Sequence, residues 1–348
     1  MTTPTATTET QPVAGRVTVS LRDRLQQFLA FASLLVIFVV FSIANSNFLT
    51  YGNVLAILYS TVVIGTLALG TTFVIITGGI DLSIGTGMAL CAVISGVMIV
   101  NLDIPLVLGV LGTILFGGLL GLINGFNVAI LKIPPFIATL AMMLVAQGLA
   151  LVLSHSTPIY FNDVPAYSKI SRGNLIPSFP NAVIVLAVMA VIAAVLLNKT
   201  ILGRYTYSIG SNEEATALSG IDVRKWKIIV YTFAGLFIGL AGVMISARLG
   251  SAQPGTGMGY ELQAIAAVVI GGTSLAGGKG SVVGTVIGGT SLAGGKGSIV
   301  GTMIGALIIS VLNNGLQIMS IPQEWQNVIL GCVILVAVYA DMMRKKQV

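Results

Sequence analysis

Apolar positions in this chain come in long unbroken blocks, and the polar and charged positions fall in the gaps between them. The blocks cover residues 27–44, 54–77, 83–100, 105–131, 135–153, 181–197, 228–247, 261–272, 282–312 and 325–340. A hydrocarbon core of roughly 30 Å needs about 20 apolar residues in a helix, and most of the blocks reach or approach that length. The pattern predicts an all-α, polytopic transmembrane bundle of about ten helices, the blocks at 261–272 and 282–312 being the least regular. Residues 1–26 and 341–348 read as polar tails around a membrane domain at 27–340. No small-residue cleavage site clearly follows the first block, so it is expected to be a retained helix rather than a signal peptide.

Two gaps are long. Residues 154–180 hold four prolines and several aromatics, which predicts a structured cap with room for a strand or a short helix. Residues 198–227 hold a polar segment with helix start and stop signals. Asn212, Glu213 and Glu214 start a short helix, Ala215, Ala217 and Leu218 give it an apolar face, Ser219 follows, and Gly220 stops it. Its pattern points to a partner-docking helix lying against the membrane surface.

Composition agrees with this picture: 55% of residues are hydrophobic, 8% are charged, and the mean hydropathy is +1.00. A net charge of +6 in a soluble protein would point to nucleic acid. Here the basic residues sit in the gaps, where they set orientation, and no nucleic-acid partner is implied. Arg16, Arg22, Arg24, Lys132, Lys199, Arg204, Arg224, Lys225, Lys227, Arg344, Lys345 and Lys346 fall on one side of the expected membrane. Lys169, Arg172 and Arg248 fall on the other. Both termini are therefore expected in the cytoplasm, with an even number of crossings.

Glycine is abundant, with 42 residues. Gly117, Gly121 and Gly125, and likewise Gly235, Gly239 and Gly242, are spaced to let helices approach closely in lipid. Cys91 and Cys332 lie in apolar runs without metal-ligand spacing and read as two small buried hydrophobes.

One acid stands out. In IITGGIDLSIGTG (75–87), Gly78 and Gly79 break a helix, Asp81 follows, and Ser83 is placed to cap the next helix. A carboxylate at membrane depth faces a cavity or a partner. One reading makes this a polar break beside a translocation path, with Gly85 and Gly87 as further candidates and Glu261 as a second acid. The other makes it a turn at the membrane interface, with Asp81 as an N-terminal charge.

Catalytic and cofactor chemistry is not indicated. His155 is the single histidine, and no paired carboxylates, metal cluster or nucleophile elbow occurs. Gly278-Lys279 and Gly295-Lys296 fail the phosphate-loop pattern, since Thr273 and Thr290 stand where it needs glycine and Gly280 and Gly297 where it needs Ser or Thr. These two pairs belong to a tandem repeat: 271–287 reads GGTSLAGGKGSVVGTVI and 288–304 reads GGTSLAGGKGSIVGTMI. Seventeen extra helical residues would turn every later face by roughly 100°, so one copy is expected to loop out or form its own short hairpin.

ITGGIDLSIG, PPFIATLAMM (134–143), LGRYTYSIGSNEEATALSGI (202–221), SAQPGTGMGYELQAIAAVVIGGTSLAGGKGS (251–281) and VGTMIGALIISVLNNGL (300–316) resemble the membrane permease of bacterial ribose-type ABC importers. The resemblance covers residues 45 to 340, with one GGTSLAGGKG block in the family and two here. It implies a homodimeric permease in the bacterial inner membrane, bound to a cytoplasmic ATP-binding subunit and a periplasmic sugar-binding protein. The segment from Asn212 to Gly220 would be the coupling helix entering a cleft on the ATPase. Without the resemblance, a stand-alone secondary transporter stays open; it would need intramembrane charges beyond Asp81 and Glu261 to bind a coupling ion. A permease for another small solute also stays open.

Overall fold

In hydrocarbon every backbone N–H and C=O must find its partner inside the protein, so long apolar runs become helices. The computed structural model describes residues 21–273 and 298–345. Thirteen helices follow one another in them: α1 (Leu21–Ala44), α2 (Tyr51–Ile76), α3 (Ile84–Gly96), α4 (Leu106–Ala129), α5 (Pro135–Leu153), α6 (Pro165–Arg172), α7 (Asn181–Lys199), α8 (Ile201–Ser211), α9 (Glu213–Leu218), α10 (Val223–Leu249), α11 (Tyr260–Ile270), α12 (Ile299–Ile318) and α13 (Gln323–Lys345). A π-helical turn, Val97–Asn101, extends α3. Seven helices are long and apolar enough to cross a membrane: α2, α3 with its π turn, α4, α5, α7, α10 and α12. Shorter apolar stretches lie at Phe31–Ala44 and Gln323–Tyr339 in α1 and α13.

The expected crossings at 27–44 and 325–340 are present only as the shorter stretches in α1 and α13, and two more differ in their bounds. The block at 261–272 becomes α11, whose 11 residues extend about 16 Å, half a bilayer. The block at 282–312 is described only from Ile299, and its helix runs on to Ile318; its expected start lies outside the described residues.

The helices form an inner and an outer shell. Of their most apolar windows, 67–72% is buried in α2, α3, α10 and α12, against 22–33% in α4, α5 and α7. Leu115, Val152 and Val191 are among the large apolar side chains that the outer helices leave exposed. Such a surface would drive association in water and matches the acyl chains of a bilayer.

Small residues set the helix spacing. Gly117 and Gly121 of α4 pack on Gly235 of α10, and a Cβ on Gly121 would overlap the Tyr231 carbonyl. A Cβ on Gly239 would stand 2.7 Å from Ile114 Cα. Gly242 faces α3 instead, with Cys91 Cβ 2.7 Å from where its own would be. Several buried hydroxyls are satisfied within their own helix: Thr61, Thr66 and Thr71 each donate to the carbonyl four residues back.

Asn45 Nδ2 donates to Ile318 O (3.1 Å), Asn314 Nδ2 to Asn53 Oδ1 (2.9 Å), and Tyr51 Oη to Ser178 O (2.8 Å). These bonds gather the start of α2, the end of α12 and the 154–180 connection at one end of the bundle. There β1 (Ile159–Tyr160) pairs antiparallel with β2 (Ser251–Ala252). Helix α6 buries Tyr167, whose hydroxyl lies 2.8 Å from Ser95 Oγ and 2.7 Å from Ser246 Oγ. The expected cap is therefore a small strand pair with one helix. Cys91 is buried as expected, whereas Cys332 is exposed on α13.

Within the repeat, the described residues are Gly271–Thr273 from the first copy and Ser298–Ile304 from the second. A Cβ on Gly271 would overlap Gly301, so α11 ends directly against the start of α12. The excursion expected of one copy lies outside the described residues.

Candidate functional site

Helix α2 stops because Gly78 takes a left-handed conformation, φ +79°. Its N–H donates to Ile75 O (2.9 Å) and that of Gly79 to Val74 O (3.1 Å), the paired closure of a glycine-terminated helix. Gly79 is also tight against a neighbour: a Cβ there would stand 2.5 Å from Tyr231 Oη of α10.

Asp81, in the break, is fully buried. Its Oδ1 accepts the Ser83 N–H (2.9 Å) and the Ser83 hydroxyl (2.6 Å). Asn124 of α4 donates from Nδ2 to Ser83 Oγ (2.9 Å) and, at 3.5 Å, to Asp81 Oδ2. Ser83 was expected to cap α3, but its side chain makes no capping bond and turns to Asp81 instead. The carboxylate gathers donors from the break and from α4 and is enclosed by protein, unlike a water-exposed interfacial turn.

Glu261 is not part of this cluster. It stands in the first turn of α11 and accepts the Gly259 N–H at 3.0 and 3.1 Å. It packs on Gly85, where a Cβ would overlap its carboxylate. Gly85 and Gly87 were candidates for the break itself; both lie inside α3, where Gly85 admits Glu261 and Gly87 faces Ile238 of α10.

At the end of the bundle opposite the strand pair, Asn212 caps α9 by accepting the Ala215 N–H (2.9 Å). Gly220, at φ +84°, closes it beyond Ser219, whose hydroxyl donates to Ala215 O (2.8 Å). Thr216 is the buried residue of α9. Ala215, Ala217 and Leu218 all face outward, and Leu218 is 89% exposed. Glu214 is exposed, while Glu213 pairs with Lys227 of α10 (2.6 Å). A cavity of about 700 Å³ opens between α9 and the α4–α5 turn, lined among others by Lys132, Pro134, Pro135, Ala217 and Arg224. Two sequence segments singled out separately, 134–143 and 202–221, thus meet at one groove.

Sequence reasoning missed Asn124, Tyr231 and the groove residues Lys132 and Arg224. Asn124 carried a signal, an amide inside an otherwise apolar run. Tyr231 carried none.

This is the architecture of a membrane permease: residues 53–338 match the family described as "Branched-chain amino acid transport system / permease component", and the chain belongs to it. It is a transport component and not an enzyme. Several relatives match along nearly their whole length. The ribose import permease protein of Escherichia coli (strain K12) is 40% identical over 341 residues, covering 97% of this chain and 99% of the relative. That of Bacillus subtilis (strain 168) is 43% identical over 324 residues, covering 92% and 94%. The D-allose transport system permease protein of Escherichia coli (strain K12) is 35% identical over 328 residues, covering 93% of each. No solved structure matches the chain.

Proposed function

We propose that this chain is the membrane-spanning permease of an ATP-driven, binding-protein-dependent importer for a monosaccharide, ribose or a related pentose, in a bacterial inner membrane. It works as a homodimer with a cytoplasmic ATPase and a periplasmic sugar-binding protein. The observation that carries this reading is α9. A six-residue helix, capped at both ends, turns its alanines and Leu218 outward from a bundle that otherwise presents bare apolar faces along its crossings. That is the form of a docking element for a soluble partner. The α9 end is then cytoplasmic, and the end with α6 and the strand pair meets the sugar-binding protein.

Uptake follows by alternating access. A loaded binding protein docks outside, ATP draws the ATPase subunits together inside, and α9 passes that motion to α10 through the Glu213–Lys227 pair. Sugar choice rests mainly with the binding protein, which fits the scarcity of intramembrane charge. The relatives named for ribose and allose support a sugar rather than the branched-chain amino acids of the family's description.

The test is uptake into proteoliposomes holding the chain, its ATPase and its binding protein. Labelled ribose should accumulate only with ATP inside, and the E213R/A217R variant should lose both uptake and co-purification of the ATPase while still inserting. Uptake driven by an ion gradient without the ATPase would overturn the reading in favour of a secondary transporter.

A further inference from the structure

The strand pair packs on the last turn of α3: a Cβ on Gly96 would meet Ile159 at 3.1 Å and Ala252 at 3.3 Å. Gly257 lies against Gly85 and Ala89 of the same helix, and Glu261 against Gly85. Gly85 stands eleven residues before Gly96, about 16 Å along a helix. The chain that follows β2 therefore descends into the bundle before α11 begins. Helix α11 adds its 11 residues, about 16 Å more, and ends on Gly301 in the first turn of α12. The far end of α12, at Ile318, is held by Asn45 at the strand-pair end. The two runs together match the roughly 30 Å of a hydrocarbon core, so residues 255–259 sit near its middle.

No helix or strand covers residues 253–259. Gln253, Gly255 and Met258 are exposed, Met258 at 62%, and a Cβ on Gly255 would have nothing within 4 Å. Acyl chains offer no hydrogen bond to irregular backbone, so such backbone at membrane depth is either buried in protein or set against water. The exposed faces around Leu115 of α4 and Val191 of α7 carry no such demand, because their backbone is bonded within the helix. The same surface carries amides. Gln147 of α5, half-buried, donates from Nε2 to Met258 Sδ (3.4 Å), and Gln253 Nε2 reaches Ser251 Oγ (3.2 Å). A thioether is a weak acceptor, so the Gln147 amide gives it up readily for a hydroxyl. A polar side chain inside an apolar run faces a cavity or a partner.

We propose that residues 253–259, with Gln147, line a water-filled passage through which a polyhydroxylated solute moves. Each amide both donates and accepts, which suits the neighbouring hydroxyls of a sugar, and neither carries a charge that would hold the solute in place. Gly255 gives the passage a stretch of wall without a side chain. Glu261, accepting the Gly259 N–H (3.0 Å), fixes the turn from this wall into α11. Water contact along the segment is a property of the fold, whereas the class of solute rests on the importer reading above.

The test is thiol labelling of the full chain with its ATPase in permeabilised proteoliposomes, in a Cys332→Ser background, since Cys91 is buried. Gly255→Cys and Met258→Cys are compared with the mid-helix controls Leu115→Cys and Val191→Cys. The probe is the water-soluble cation methanethiosulfonate ethyltrimethylammonium. Thiols react as thiolates, which apolar surroundings suppress, so the first pair should react at least about tenfold faster, the equivalent of one unit of thiol pKa. Slow reaction at all four positions overturns the proposal. So does a disulfide between two copies at position 258 without labelling, which would put a second chain against the segment. Gln147→Leu should cut ATP-driven uptake of labelled ribose several-fold while Gly255→Cys keeps its labelling rate; unchanged uptake would remove the amide from the passage. Fast labelling at 255 and 258 in a chain that takes up no sugar with ATP would keep the passage and overturn the importer reading instead.

Discussion

Lys227 Nζ lies 2.6 Å from Glu213 Oε2, tying α9 to the first turns of α10. One turn further along α10 stands Tyr231, whose hydroxyl rests on Gly79 in the α2–α3 break. The outward helix and the break inside the membrane thus share one rigid rod. The Glu213 side chain is 54% exposed, and exposed pairs are worth under about 1 kcal/mol. Lys227→Ala should therefore leave the melting temperature within about 2 °C while ATP-driven uptake falls several-fold. A variant that loses stability and uptake together would make the pair structural instead.

Asp81→Leu should insert well, since leucine is favoured at membrane depth, but it strands the Ser83 hydroxyl and backbone N–H. Each stranded group costs about 1–3 kcal/mol. We expect normal amounts in the membrane, a lower melting temperature and sharply reduced uptake. Normal uptake would remove the break from the transport cycle.

Gly121 meets the Tyr231 carbonyl, so Gly121→Val must push α4 away from α10. Overpacking of this kind costs about 1–3 kcal/mol in cores that yield, and backbone yields less. Gly255 has nothing within 4 Å of its would-be Cβ. Gly255→Ala should change stability by less than about 0.5 kcal/mol. Size-exclusion and melting profiles of the two variants separate packing glycines from permissive ones.

Burial pushes the Tyr167 phenol from its ordinary 10 up to about 12, against the two serine hydroxyls that bond it. The folded protein therefore favours the neutral phenol, and that contribution is complete below pH 10 and is lost as pH rises toward 12. Tyr167→Phe should lower stability by about 1–3 kcal/mol at pH 8. The gap between wild type and variant should narrow between pH 10 and 12. A constant gap would show that the phenol stays accessible.

Much of the fold is legible in the sequence because hydropathy alone marks a helix that must live in lipid. The glycine spacings at 117–125 and 235–239 also predict a real contact, since only backbone-to-backbone approach needs that period. Helix α9 is legible because its cap and its stop are local, Asn212 and Gly220. Helix α11 is not, because an apolar run of 11 residues reads alike whether it crosses or halts midway. Ser83 misleads for a related reason: the hydroxyl that caps a helix also bonds a carboxylate two residues back, and only the fold chooses. Asn124 meets Asp81 across 43 residues of sequence, a pairing no local pattern encodes. Cys332 looks buried because its run is apolar, yet such runs also face outward into lipid.

The Gly271–Gly301 contact also bears on the repeat. Removing residues 271–287 leaves GGTSLAGGKGSIVGTMI, so the head and tail held between α11 and α12 are unchanged. The shortened chain should insert, melt no lower than the full one and support at least equal uptake. A chain that fails to insert would show that both copies are needed for packing.

Because the two ends of that segment rest on each other, its length is hidden from the helices on either side. A duplication of 17 whole codons preserves the reading frame and returns the chain to the same place. If the shortened chain inserts and transports as expected, copy number here is a trait that replication slippage can raise or lower while the bundle stays the same. Strains should differ in the count, a difference that one amplification across the locus would reveal.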